Sequence, residues 1–512
     1  MPDQVSTYKI ACRGGLDTSR DVLAQGEFSP GSATQLINYE PAITGGYRRI
    51  DGFTNAYGTV PGTGSVLGVG VTAEINDGIL ACRTPSSGNN YVHRWDDATS
   101  AWIAITTSGS PTMTAVARVR FINFNFTTNK TILTDGINPA ATYDGTTYTP
   151  ITHAQAPAAP AYATGFKNHM FLAGDATGKN KLYFSAPLVE SDFAPGNGAG
   201  VIQVGFDIVA IKPFRDTLYI FGQTEIKRLQ GNSLANFAVE AVTHELGCIA
   251  PDSVVEIGGD LIFLSQDGFR PVSGTNRIGD VELETISKDI QSLFPDIIRD
   301  SNLAALTAVV VRQKSQFRVL FAEASSTGII AGLRKGEQGL VYEFGKLLGI
   351  EATSAASGYI GQYEYIIHGT TDGKVHRQEQ GSSFAGTDIL SVYKTPYVYM
   401  ENTEQRKHFY KVTTYLRSEG VNDIILAVDY DYGDLNEASP TNYNLTTAGA
   451  AAYYREATYN STASFSGNPS PIQSTNIEGS GKSIAFKYVT LGQQPSHSIQ
   501  GIVLTFGLGD LR

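Results

Sequence analysis

The chain has 512 residues, only 17% of them charged, with 54 Gly and 26 Tyr. That length allows two or three domains with substantial cores, and the composition suits a turn-rich β protein while arguing against helical bundles and disorder. A net charge of −11 argues against tight binding to a phosphate backbone, which needs clustered Lys and Arg. No apolar run approaches the ~18 residues of a membrane-spanning helix. The start Met1-Pro2-Asp3 lacks the basic and apolar regions of a signal peptide, so the expected setting is the cytosol unless a larger assembly carries the chain out.

Residues 1–55 read as an extended N-terminal arm. Within it Tyr47, Arg49 and Asp51 alternate with Arg48 and Ile50, placing two faces on a strand. Tyr47, Arg48 and Arg49 are candidate assembly contacts, to a neighbouring subunit or an acidic partner, because guanidinium forks pair carboxylates bidentately. A solvated strand edge is the plainer alternative.

Residues 56–383 repeat one phrase, an apolar strand, a turn and a second strand, at intervals of roughly 45 to 50 residues. Leu218 to Gly222 running into Glu225 to Leu229, and Leu261 to Leu264 running through Asp267-Gly268 into Phe269 to Val272, are the cleanest copies. Asp-Gly pairs at 77–78, 135–136, 144–145, 267–268 and 372–373 signal hairpins. A lone hairpin cannot bury both faces, so units of this size must stack. A β-propeller of about six or seven blades is the economical arrangement. One interruption reads as helix: Ile290, Leu293, Phe294 and Ile297 recur at helical spacing behind Ser287 as N-cap, with Pro295 limiting regularity.

Residues 384–512 change rhythm. Longer alternating strands are expected at 389–399, 409–416, 424–432, 483–489 and 498–506, giving a β-sandwich with a long polar loop at 433–482. A loop that long often serves as an interaction surface.

Chemical signatures are weak. Gly479 to Ser483 ends like a phosphate-binding loop, but Asn476 stands where the first glycine belongs and a strand follows where the motif needs a helix. Asp429, Asp431 and Asp434 are weak metal candidates, since crowded carboxylates hold hard cations; a strand-end turn is the simpler reading. His368 and His376 flank the Asp372-Gly373 turn and would meet on paired strands. Cys12, Cys82 and Cys248 fit reduced, buried thiols. No catalytic or cofactor motif emerges.

Gly14 to Leu16, Pro30-Gly31, Leu36 to Glu40, Gly46 to Arg49 and Asp51 to Phe53, with the blade phrases Phe214 to Gly222 and Ser253 to Arg270, resemble the tail nozzle proteins of short-tailed bacteriophages, also described as tail tubular protein B or packaged-DNA stabilisation proteins. The resemblance implies a structural virion protein of the viral tail, assembled in the host cytoplasm, without enzymatic activity or cofactor. It implies a homohexamer that extends a tail adaptor or connector ring, retains packaged double-stranded DNA and conducts it during DNA ejection. It also implies docking surfaces for tail fibre or spike proteins and a tip or plug protein. An acidic wall would let a polyanion slide. The alternative is a propeller-type glycan-cleaving or glycan-binding protein.

Overall fold

The computed structural model describes residues 5–72, 78–86, 91–107, 117–273, 285–322, 327–336, 339–400, 402–433, 442–447 and 471–509. Six small sheets are arranged as the blades of a β-propeller. In chain order their inner strands are Thr63–Val71, Arg120–Asn125, Tyr162–Phe166, Ala210–Phe214, Val255–Ile257 and Ser354–Ile360. Between the last two, Thr307–Val311 packs against both Val255–Ile257 and Ser354–Ile360. Thr307–Val311 also begins a nine-stranded sheet, so one sheet serves the propeller on one side and continues away from it on the other.

The blades stack through apolar faces. Leu80, Cys82 and Tyr91 meet Leu133, Tyr143 and Tyr148; Phe171, Leu182 and Phe184 meet Leu218 and Ile220; Val66 and Val69 meet Ile367 and Val375. All five residues of strand His169–Ala173 are buried, the mark of a strand covered on both faces. Burying one such Phe or Leu contributes about 1.5–3 kcal/mol, which makes stacking, not the isolated hairpin, the source of stability. The Asp-Gly pairs at 135–136, 144–145 and 372–373 lie between consecutive strands, and Asp267-Gly268 leads into strand Gly268–Pro271. Gly373 shows the need for glycine: its φ is +86°, and a Cβ there would strike the Arg83 guanidinium.

Past the propeller strands, the nine-stranded sheet runs through Gln35–Ile37, Ser391–Lys394, Ile484–Thr490, Asp423–Tyr430 and Tyr443–Thr446. Facing it is a sheet built on Lys407–Ser418 and His497–Leu508. Phe409, Val412, Leu416, Ile502 and Leu504 from the second sheet share one core with Ile424, Leu426, Phe486 and Tyr488 from the first, making a sandwich. The loop expected over 433–482 includes sheet: Tyr443–Thr446, Ile472–Asn476 and Ser480–Gly481 are strands, with Leu445 and Ile477 buried in the core. Residues 434–441 and 448–470 of it lie outside the described residues.

The arm is woven into both parts. Val5–Ala11 pairs antiparallel with the last strand, from Val5 opposite Gly507 to Ala11 opposite Gly501. Gln35–Ile37 sits between Gly339–Leu347 and Ser391–Lys394. Phe53–Thr54 is the outer strand of the sixth small sheet, pairing with Arg377 and Gln378, so an N-terminal strand completes the blade that precedes the first one in the ring. The expected helix divides into a 3-10 turn, Lys288–Leu293, and an α-helix, Phe294–Asp300, with Pro295 at its start. Ser287 does not cap it; its hydroxyl accepts from the Phe269 N–H instead.

Candidate functional site: the arm junction and the propeller axis

Tyr47, Arg48 and Arg49 lie on strand Tyr47–Arg49, with Tyr47 and Arg49 buried and Arg48 half-buried on the opposite face. Tyr47 is fully buried, its hydroxyl accepting from the Gly15 N–H (2.9 Å) and donating to the Gly31 carbonyl (3.0 Å). Arg49 is equally buried and donates to Ser391 Oγ and to the carbonyls of Ile389, Gly492 and Gln494. Arg48 forks onto Glu419 (2.8 and 2.7 Å) and Asp51 (2.8 and 2.8 Å) and reaches Glu40 at 3.0 Å. In place of the expected contact with another subunit, these side chains fasten the arm to its own sandwich. The acidic partners that the guanidinium forks select are in the same chain.

Arg48 is one corner of a larger buried network that sequence spacing did not reveal. Lys314 Nζ bonds Glu40 (2.7 Å) and Asp51 (2.9 Å) and pairs with Glu379; Arg318, 1% exposed, reaches Glu40 (3.2 Å) and Glu379 (2.6 Å). Four carboxylates and three cations thus tie arm, nine-stranded sheet, sixth blade and sandwich together. Burial pushes the Asp51 carboxyl up, but Lys314 and Arg48 outweigh it and hold Asp51 well below the usual carboxylate range.

Asp429 pairs with Lys394 Nζ (2.6 Å), and Asp434 lies outside the described residues. Asp431 accepts the backbone N–H groups of Lys482 (2.9 Å) and Ser483 (2.7 Å), so the glycine-rich segment resembling a phosphate loop aims its amides at an internal carboxylate. Among the described residues no three His, Cys, Asp or Glu side chains form a metal-holding group. Asp431→Ala should leave those two amides unpaired and lower stability by about 1–3 kcal/mol. Asp431→Asn, which keeps an acceptor and tolerates the local φ of +43°, should cost less, as thermal unfolding of the two variants will show. His368 and His376 do face each other across paired strands, ring centroids 5.2 Å apart. All three cysteines are buried free thiols.

The inner strands surround a cavity of about 670 Å³ along the propeller axis, lined from all six blades and from Thr307–Val311. At the end where these strands begin, Arg118 and Arg120 both hold Asp252: Arg118 Nε at 3.1 Å, and Arg120 bidentately at 2.7 and 2.8 Å. Arg120 also lies 5.0 Å over the Tyr162 ring. Further along, Lys212 lines the cavity, and Arg312 is paired with Glu364.

No protein-family model and no curated protein matches this chain. Among solved structures, a KlHsv2 chain with loop 6CD replaced by a Gly-Ser linker is similar over 56% of this chain and 98% of that one, at 10% identity and a TM-score of 0.32. A likeness so distant carries no argument about function. No helix among the described residues is long and apolar enough to cross a membrane.

The two places offer different chemistry. At the junction the carboxylates and cations are engaged with one another. The axial cavity has the size of a small-ligand pocket and carries an excess of cations.

Proposed function

We propose that this chain is a non-enzymatic structural subunit of a short-tailed phage tail: a nozzle protein whose six copies form a conduit that retains packaged DNA, releases it during ejection and carries docking surfaces for fibres or spikes. The observation that supports this reading best is the weaving of the chain. A shared nine-stranded sheet joins propeller to sandwich, the first described strand is zipped to the last, and an arm strand completes a blade. A wall that must withstand packaged DNA needs such a body, in which neither part can swing freely. The conduit lies between subunits, because the propeller's own axial cavity is of small-ligand size.

The test is the mass of the purified chain, alone and mixed with the adaptor ring protein, by light scattering with negative-stain imaging. Six-fold rings in either sample are the expected result. A monomer that persists in both would overturn the conduit and favour a propeller that binds or cleaves glycans.

A further inference from the structure

The axial cavity has a charge imbalance that the conduit reading does not use. Its lining includes Arg118, Arg120, Lys167, Lys212 and Arg312 but only two carboxylates, Asp252 and Glu256, in a chain whose net charge is −11. Two of those cations are satisfied by acids beyond the lining: Lys167 by Asp216 (2.7 Å) and Arg312 by Glu364 (3.4 Å). The remaining group is different. Arg118 and Arg120 divide a single carboxylate, Asp252, between them, and the ammonium of Lys212, half-buried on strand Ala210–Phe214, makes no hydrogen bond or ion pair with any described residue. Glu256 is exposed and bonds none of the three. Lys212 and the Arg118–Arg120 pair thus share one firmly held carboxylate, Asp252, and one exposed one, Glu256, which leaves net positive charge on the cavity wall.

We propose that the axial cavity binds a small anion of the phosphate or carboxylate class, seated between Lys212 and the Arg118–Arg120 pair. The fixed guanidinium groups are already oriented by Asp252 and, for Arg118, by the Leu306 carbonyl at 2.9 Å, so an entering oxyanion meets donors that need no reordering. Lys212 supplies the mobile point charge that follows the anion's position. Burial lowers the Lys212 pKa, with Glu256 opposing, and lowers that of Arg118, with Asp252 opposing. The cavity volume admits a ligand the size of a sugar phosphate or tricarboxylate and shuts out a duplex.

The experiment titrates inorganic phosphate and, separately, citrate into the full chain by calorimetry, against chloride at matched ionic strength, and repeats both with Lys212→Met. At least one anion should bind at a single saturable site, weakened tenfold or more in the variant; which one does so separates a phosphate ligand from a carboxylate. The anion-free variant should unfold at the same temperature as the parent or higher, since one of several neighbouring like charges has been removed, while the anion raises the unfolding temperature of the parent alone. If the variant does not fold, acylation of Lys212 in the parent chain, read by peptide mass, decides: saturating anion should protect it. Failure of both anions to saturate, equal binding by parent and variant, or absence of protection overturns the site.

Discussion

Arg318→Met should destabilise the protein by about 3–5 kcal/mol, the cost of removing one partner from a buried ion pair. Arg318 sits in strand Gln316–Leu320, every residue of which is buried, with its guanidinium on Glu40, Glu379 and Gln378. The junction holds four acids against three bases, so losing Arg318 leaves four carboxylates facing only Arg48 and Lys314. Glu40→Gln removes as many named contacts yet leaves three charges of each sign, and should cost distinctly less. Combining the two substitutions should recover part of the Arg318→Met loss, because Glu40 is then no longer an uncompensated buried anion. Urea midpoints of the three variants at neutral pH make the comparison. Equal losses from the two single substitutions would show that charge balance is not what the junction provides. Acid supplies a second check. Because Asp51 is held below its unfolded pKa of about 3.9, its contribution is present above that pH and is lost as the pH falls below it.

How far the fold could be read in advance depended on how local its causes are. Blade strands are buried on both faces, so they appear as short apolar runs such as Leu261 to Leu264, and Asp-Gly turns mark their ends. Both signals act within a few residues and survive in the sequence alone. The merger of propeller and sandwich rests on Ile37 pairing with Lys346 and Gln35 pairing with Lys394, across more than three hundred residues, and such pairing leaves no local trace. The alternation around Arg48 correctly placed it and Arg49 on opposite faces; what no spacing reveals is that Glu419, Lys314 and the Gly492 carbonyl wait there. One signal was available. Arg318, alone among apolar neighbours in Phe317 to Leu320, is a charge where the pattern demands burial, and Arg118 and Arg120, on either side of Val119, put two cations on one face of a strand. Those positions lead directly to the junction and to the axial cavity.

Between pH 6.5 and 4 the protein should lose stability through its histidines, and His368→Leu should remove a measurable share of that loss. His368 is fully buried against the edge of Phe53 (centroids 4.8 Å) and the His376 ring; its Nε2 and the His376 Nδ1 have no hydrogen-bond partner among the described residues. Burial, and secondly the neighbouring His376, push the His368 pKa down to about 3. Burial, and secondly the charge of Arg49, bring His497 to about 3 as well. The sign follows from the unfolded chain, whose histidines titrate near 6.5 and take up the proton that the folded state refuses, so stability is highest above 6.5 and falls with pH. Each such histidine costs about 1.4 kcal/mol per pH unit, or roughly 3 kcal/mol between pH 6.5 and 4. Asp51 enters only at the bottom of this window, because an unfolded Asp titrates near 3.9. His368→Leu should therefore flatten the stability profile by about 3 kcal/mol across the window, with a cost near 1 kcal/mol at pH 7 for the lost bond from Gln378 (3.2 Å). The location sharpens the expectation. His376 and Gln378 belong to the strand that pairs with Phe53–Thr54, the arm segment that completes the sixth blade. Protonation should accordingly expose that segment first, and amide exchange at Phe53 and Thr54 should accelerate at pH 4.5 in the parent before it does so in the rest of the propeller. If the parent and His368→Leu profiles stay parallel from pH 7 to 4, the histidine pair is not the acid-sensitive element.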